Sequence, residues 1–122
     1  MKGLGKHLLV EFYGVDKDKL DDKDKLEKLL LIAVEESEAT YLHHYLHQFS
    51  PQGVSGVVVV AESHLALHTW PEYRYMAIDY FTCGDKVDPQ AAIDFLQEQL
   101  DPELVEVDMK IRGGPYIHVS GG

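Results

Sequence analysis

The chain has 122 residues, with 21 acidic side chains against 11 basic ones and a formal net charge of −10. That length predicts one domain burying roughly two-thirds of its extended surface, too little to enclose an extensive active site in one subunit. The negative balance excludes DNA or RNA as a natural partner, because phosphates need a basic face, and it suits cationic ligands instead.

In chain order, His7 to Tyr13 reads as a strand, with Leu8, Leu9, Val10 and Phe12 in a short apolar run. Asp16 to Lys25 alternates acids and lysines, a solvated loop running into a helix. Leu26, Leu29, Leu30, Ala33 and Val34 follow helical spacing up to about Ser37, and Asp21, Asp22 or Asp24 supplies the N-cap. Thr40 to Phe49 is β-like. Ser50-Pro51-Gln52-Gly53 is a turn. Val54 to Ala61 holds Val57-Val58-Val59-Val60, the run expected of a strand covered on both faces. Leu65 to Thr69 and Tyr75 to Thr82 are further strands, separated by Trp70-Pro71-Glu72. Asp88-Pro89 opens a helix, Asp as N-cap and Pro in the first turn, with Ala92, Phe95, Leu96 and Gln99 on one face. Val105, Val107, Met109 and Ile111 alternate with Glu106, Asp108 and Lys110, a strand with one wet face. Gly113 to Gly122 is a glycine-rich, loose tail. Helices separated by groups of strands predict an α+β fold, a two-layer α/β sandwich whose antiparallel sheet is backed by helices on one face.

One cysteine, Cys83, permits no internal disulfide and suits a reducing cytoplasm. Cys83 is then either a small buried hydrophobe or a working thiol. No signal-like segment or membrane-spanning apolar run is present. His43, His44 and His47 read as partly exposed strand positions. On a strand His64 and His68 share a face but stand about 13 Å apart, too far to share a metal, so no metal is expected. Gly53-Val54-Ser55-Gly56 misses the hydrolase elbow by one place and precedes a strand.

The segment Gln52 to Tyr73, which contains Glu62-Ser63-His64-Leu65-Ala66-Leu67-His68-Thr69-Trp70-Pro71-Glu72, closely resembles the bacterial and archaeal S-adenosylmethionine decarboxylases. Asp79-Tyr80-Phe81-Thr82-Cys83-Gly84 and the opening Gly3 to Tyr13 resemble the same family in order and spacing, so the likeness spans about residues 3–100. The resemblance implies a proenzyme that cuts itself between Glu62 and Ser63. The β chain would be 1–62 and the α chain 63–122. It implies that the Ser63 hydroxyl attacks the Glu62 carbonyl and turns the amide into an ester, that β-elimination then cleaves the ester, and that the α chain begins with a pyruvoyl group made from Ser63. Serine suits both steps, having a nucleophilic oxygen that later departs from the β-carbon. His68 matches the processing histidine and Ser55 the serine that assists the shift.

The pyruvoyl carbonyl would condense with the substrate amine and withdraw electrons as carbon dioxide leaves, the part otherwise played by pyridoxal phosphate. Cys83 matches the proton donor, which requires a reachable thiol. Glu72 matches a substrate-binding carboxylate, with Phe49, Leu65 and Trp70 as apolar or stacking walls. A sulfonium substrate suits aromatic faces. The product would feed spermidine synthesis, and the enzyme would be a homodimer of αβ units. Arg74 departs from the family pattern. It could hold a substrate carboxylate, neutralise Glu72 or point into solvent, which keeps a pyruvoyl-dependent arginine or ornithine decarboxylase as the alternative. A catalytically silent regulatory subunit is the second.

Overall fold

The computed structural model describes residues 3–114. Six strands, β1 (Gly5–Tyr13), β2 (Tyr41–Gln48), β3 (Val54–Val60), β4 (Ser63–Trp70), β5 (Tyr75–Cys83) and β6 (Leu104–Arg112), form one sheet in the order β2-β3-β4-β5-β1-β6. Every pairing is antiparallel. A short helix α1 (Lys17–Leu20) precedes α2 (Lys23–Glu36), and α3 (Pro89–Leu100) links β5 to β6. The helices pack on one side of the sheet, so the expected α+β sandwich is borne out.

Helix starts follow their caps. The Asp22 carboxylate accepts the Lys25 N–H at 3.1 Å, and the Asp88 carboxylate accepts that of Ala91 at 3.3 Å, each filling an orphan donor of a first turn. The core lies between sheet and helices. Leu8, Val10 and Phe12 of β1, Met76, Ile78 and Tyr80 of β5, and Leu65 and Leu67 of β4 meet Leu26, Leu30 and Ala33 of α2 and Ala92, Ile93 and Leu96 of α3. The period of two along each strand then sends His7, Leu9, Glu11, His64, Ala66, His68, Ala77, Asp79 and Phe81 to the opposite, open face.

Three local expectations need correction. Gln99 is exposed, and Ile93 and Leu100 take its place on the buried face of α3. Val58 and Val60 are buried but Val59 is exposed, so one protomer covers only one face of β3. Val107, Met109 and Ile111 are exposed as well, because β6 is an edge strand that the helix layer does not reach over. The tail from residue 115 lies outside the described residues.

Candidate active site

Strands β3 and β4 form a hairpin joined by Ala61 and Glu62, so the Glu62–Ser63 peptide sits where loop becomes strand. Ser63 has φ +151°, a region that side chains with a Cβ avoid at a cost of about 1–3 kcal/mol. The tip is tied down from both sides. Thr40 donates its backbone N–H and its hydroxyl to the Glu62 carboxylate at 3.0 and 3.1 Å. The Thr40 backbone N–H is the main reason this carboxyl sits below its ordinary value. The Ala61 N–H donates to the Thr40 carbonyl at 2.8 Å.

The Glu62 carbonyl oxygen faces the end of β5. It accepts the Cys83 N–H at 3.1 Å and the Cys83 thiol at 3.0 Å. Two donors on one carbonyl oxygen polarise the carbon beside it and stabilise negative charge that develops there when a nucleophile adds. The nucleophile within reach is the Ser63 hydroxyl, held at 3.3 Å from His64 Nδ1. Cys83 is exposed, as a thiol that meets substrate must be.

The remaining candidates gather elsewhere. Ser55 Oγ lies 2.8 Å from His68 Nδ1 across the β3–β4 pair. Both line an open cavity of about 290 Å³ with Phe49, Gln52, Gly53, Thr69, Trp70 and Glu72. Phe49 and Trp70 are exposed enough to meet a ligand, and Trp70 is braced by stacking on Tyr75 at 5.3 Å. Glu72 stands in the 3₁₀ turn Pro71–Tyr73 that ends β4. This group is five residues along β4 from Ser63, a span of about 17 Å in an extended strand. The structure thus brings Glu62, Ser63 and Cys83 together at one end of β4 and Ser55, His68, Trp70, Glu72 and Phe49 at the other.

Two readings change. Leu65 is fully buried on the helix side, so its side chain is core and not a substrate wall. Arg74 does not reach Glu72. Its guanidinium donates to the carbonyls of Val15 and Gly14 at 3.2 Å each and pairs with Glu103 at 3.5 Å. It fastens the loop after β1 and is not free to hold a substrate carboxylate.

The sequence reading gave no role to His64, Asp79, His7 or Arg112. On the open face His7 and His64 stand directly opposite Phe81 from its two neighbouring strands, and Asp79 Oδ1 is within 3.1 Å of His7 Nε2 and 3.2 Å of His64 Nε2. Only strand register could have revealed this, although the place of His64 beside Ser63 was a signal. Among the described residues no group of three or more His, Cys, Asp or Glu is arranged to hold a metal ion, and no helix is long and apolar enough to cross a membrane.

A family model described as S-adenosylmethionine decarboxylase matches residues 6–113. The chain is 50% identical over 113 residues to the S-adenosylmethionine decarboxylase proenzyme of Thermosipho africanus, spanning 93% of this chain and 87% of that protein. It is 48% identical to the proenzyme of Methanococcus maripaludis, spanning 93% of each. The crystal structure of the adenosylmethionine decarboxylase from Aquifex aeolicus superposes with a TM-score of 0.86 at 37% identity, over 98% of both chains.

Proposed function

Because the chain belongs to the S-adenosylmethionine decarboxylase family, we propose that it is a self-cleaving, pyruvoyl-dependent decarboxylase of S-adenosylmethionine, supplying the decarboxylated product to spermidine synthesis. The observation that carries this is the Glu62 carbonyl oxygen, held by both donors of Cys83 with the Ser63 hydroxyl on the neighbouring residue. The geometry suits conversion of an amide to an ester, and the positive φ of Ser63 adds strain that scission of the chain relieves. Cleavage gives a β chain of residues 1–62 and an α chain of residues 63–122.

The pyruvoyl group generated from Ser63 supplies the electron sink for decarboxylation, so the site needs neither metal nor pyridoxal phosphate. Its fit to this site rests on the strained Ser63 and the doubly bonded Glu62 carbonyl. Cys83, exposed beside that position, delivers a proton to the substrate's α-carbon. Trp70 and Phe49 offer flat faces to the adenine ring or the sulfonium, and Glu72 accepts from ribose hydroxyls. His68, steadied by Ser55, removes the Ser63 α-proton during elimination.

With about 17 Å of strand between them in one chain, His68 and Ser63 meet only if two protomers pair. The open sheet face favours pairing, since Leu9, Val59 and Trp70 are exposed there. In a twofold dimer with these faces opposed, the Ser55, His68, Glu72 and Phe49 end of one protomer lies over the Ser63 and Cys83 end of the other. The lone thiol and acidic charge fit a cytoplasmic enzyme. Arg74 is engaged by Gly14, Val15 and Glu103, which removes the reason for favouring arginine or ornithine as substrate.

Intact mass and carbon dioxide release test the proposal together. Active protein should consist of two fragments, the larger-numbered one blocked at its start, and should release carbon dioxide from S-adenosylmethionine and not from arginine or ornithine. A single uncut 13.8 kDa chain that turns over substrate would overturn it. An uncut, inactive chain after long incubation would favour a silent regulatory subunit.

A further inference from the structure

We propose that His64, oriented by Asp79, is the general base that takes the Ser63 hydroxyl proton during the acyl shift, with His7 and Arg112 fixing the protonation pattern. This inference rests on the self-cleavage reading above. His64 Nδ1 lies 3.3 Å from Ser63 Oγ, while its Nε2 lies 3.2 Å from Asp79 Oδ1. An ionised carboxylate only accepts, so the proton of a neutral His64 ring sits on Nε2 and the Nδ1 lone pair faces the serine. The hydrogen between Ser63 and His64 is then the hydroxyl's own.

The other side of Asp79 supports the same pattern. Arg112 Nη1 lies 3.0 Å from His7 Nδ1. A guanidinium has no acceptor, so His7 accepts at Nδ1 and is neutral. It donates through Nε2 to the same Asp79 oxygen at 3.1 Å. Phe81 packs the cluster: its ring is stacked on His7 at 5.2 Å, edge-on to His64 at 6.2 Å, and beneath the Arg112 guanidinium at 5.4 Å. Asp79 thus stands ready to stabilise the imidazolium that forms on His64 when the proton arrives, the role a carboxylate plays behind a catalytic histidine. Within one chain His68 is about five residues' extension away along the strand, whereas His64 already touches the Ser63 hydroxyl.

The step balances without any co-reactant. The Oγ–H bond breaks, its proton moves to His64 Nδ1, and Oγ bonds to the Glu62 carbonyl carbon. Charge collects on the Glu62 oxygen between the Cys83 N–H and thiol. The Glu62–Ser63 C–N bond then breaks, and His64 returns the proton to the departing nitrogen. The product is an ester with a free amine on Ser63. Removal of the α-proton in the next step is left to His68.

Freshly refolded proenzyme, followed by intact mass with and without hydroxylamine, separates the two histidines, since hydroxylamine cuts an ester at Glu62 and leaves an amide intact. His64→Ala should self-cleave roughly 10²-fold more slowly and stay hydroxylamine-resistant, with partial rescue by added imidazole. His68→Ala should accumulate hydroxylamine-sensitive chain. Asp79→Asn, close in size to the native side chain, should be slowed without loss of its thermal transition. Wild-type cleavage rates in Asp79→Asn, or in a His64→Ala variant with native circular dichroism, would overturn the assignment, as would ester accumulation in His64→Ala. A wild-type chain that neither cleaves nor forms an ester fails at the earlier reading and takes this one with it.

Discussion

The thiol of Cys83 and the carbonyl oxygen of Glu62 are 3.0 Å apart, although 21 residues separate them in sequence. That contact joins the residue matching the proton donor of decarboxylation to the peptide bond proposed for self-cleavage. Cys83→Ala removes one of the two donors but keeps the backbone N–H, which also reaches the Glu62 oxygen at 3.1 Å. We expect self-cleavage to slow by roughly a hundredfold, the low end of what a lost oxyanion donor costs. Decarboxylation per cleaved chain should fall much further, because no thiol remains to return the proton. Intact-mass time courses and carbon dioxide release report the two steps separately. Full turnover by this variant would remove Cys83 from the chemistry.

Ser63→Ala should leave one uncut chain with no decarboxylation, since both the nucleophile and the leaving oxygen are gone. A comparison with Ser63→Gly isolates the backbone. At φ +151° glycine is at ease where alanine is strained, so the uncut glycine variant should be more stable by about 1 kcal/mol, despite glycine's looser unfolded chain. Urea midpoints measure it. Equal midpoints would mean that the Ser63 backbone holds no strain for cleavage to release.

Much of this fold was legible because its signals are local. Asp88-Pro89 marked the start of α3, and the 3.6-residue spacing from Leu26 to Val34 marked α2. The errors share a physical origin. Alternation in β6 says that one face is apolar, but not whether a helix extends over it, and none covers Met109 or Ile111. The valine run in β3 predicted two covered faces, and Val59 remains exposed until something outside the protomer covers it. Ser63, Cys83 and His68 were identified through a family likeness. The separation of Ser63 from His68 was already implicit in the rise of β4, and the inward direction of Leu65 in its alternation of faces. The His7–Asp79 contact bridges residues 72 apart, and only cross-strand register creates it.

Alkaline stability should report the tyrosines on and behind the sheet. Tyr75 is pushed up from its ordinary value of 10.0, first by burial and then by donating to Glu11 at 2.8 Å. A raised folded-state value gives stability that is complete below pH 10, where folded and unfolded phenols both keep their protons. Above pH 10 the unfolded phenol ionises first, so stability falls as pH climbs towards the folded value. Tyr80 is raised in the same sense by burial. Thermal melts from neutral pH upward should therefore show a decline beginning near pH 10, shallower in Tyr75→Phe. An identical slope in that variant would place the sensitivity elsewhere.

Complementation between two inactive variants tests whether the catalytic groups come from different protomers. Ser63→Ala chains keep an intact His68 end, and His68→Ala chains keep an intact Ser63 end. Each alone should fail to mature, the first for want of a nucleophile and the second for want of the base that removes the α-proton. Mixed twofold dimers place an unaltered Ser63 and Cys83 opposite an unaltered Ser55, His68 and Glu72 at one of their two sites. Random pairing makes about half of the dimers mixed, so co-produced chains should recover about a quarter of wild-type activity. Only the His68→Ala chain should be cut, which intact mass reads directly. If all groups acted within one chain, no mixed dimer would contain a complete set and neither chain would be cut. The roughly 17 Å of strand between Ser63 and His68 favours the first outcome, because no side-chain rotation in a paired central strand spans that distance.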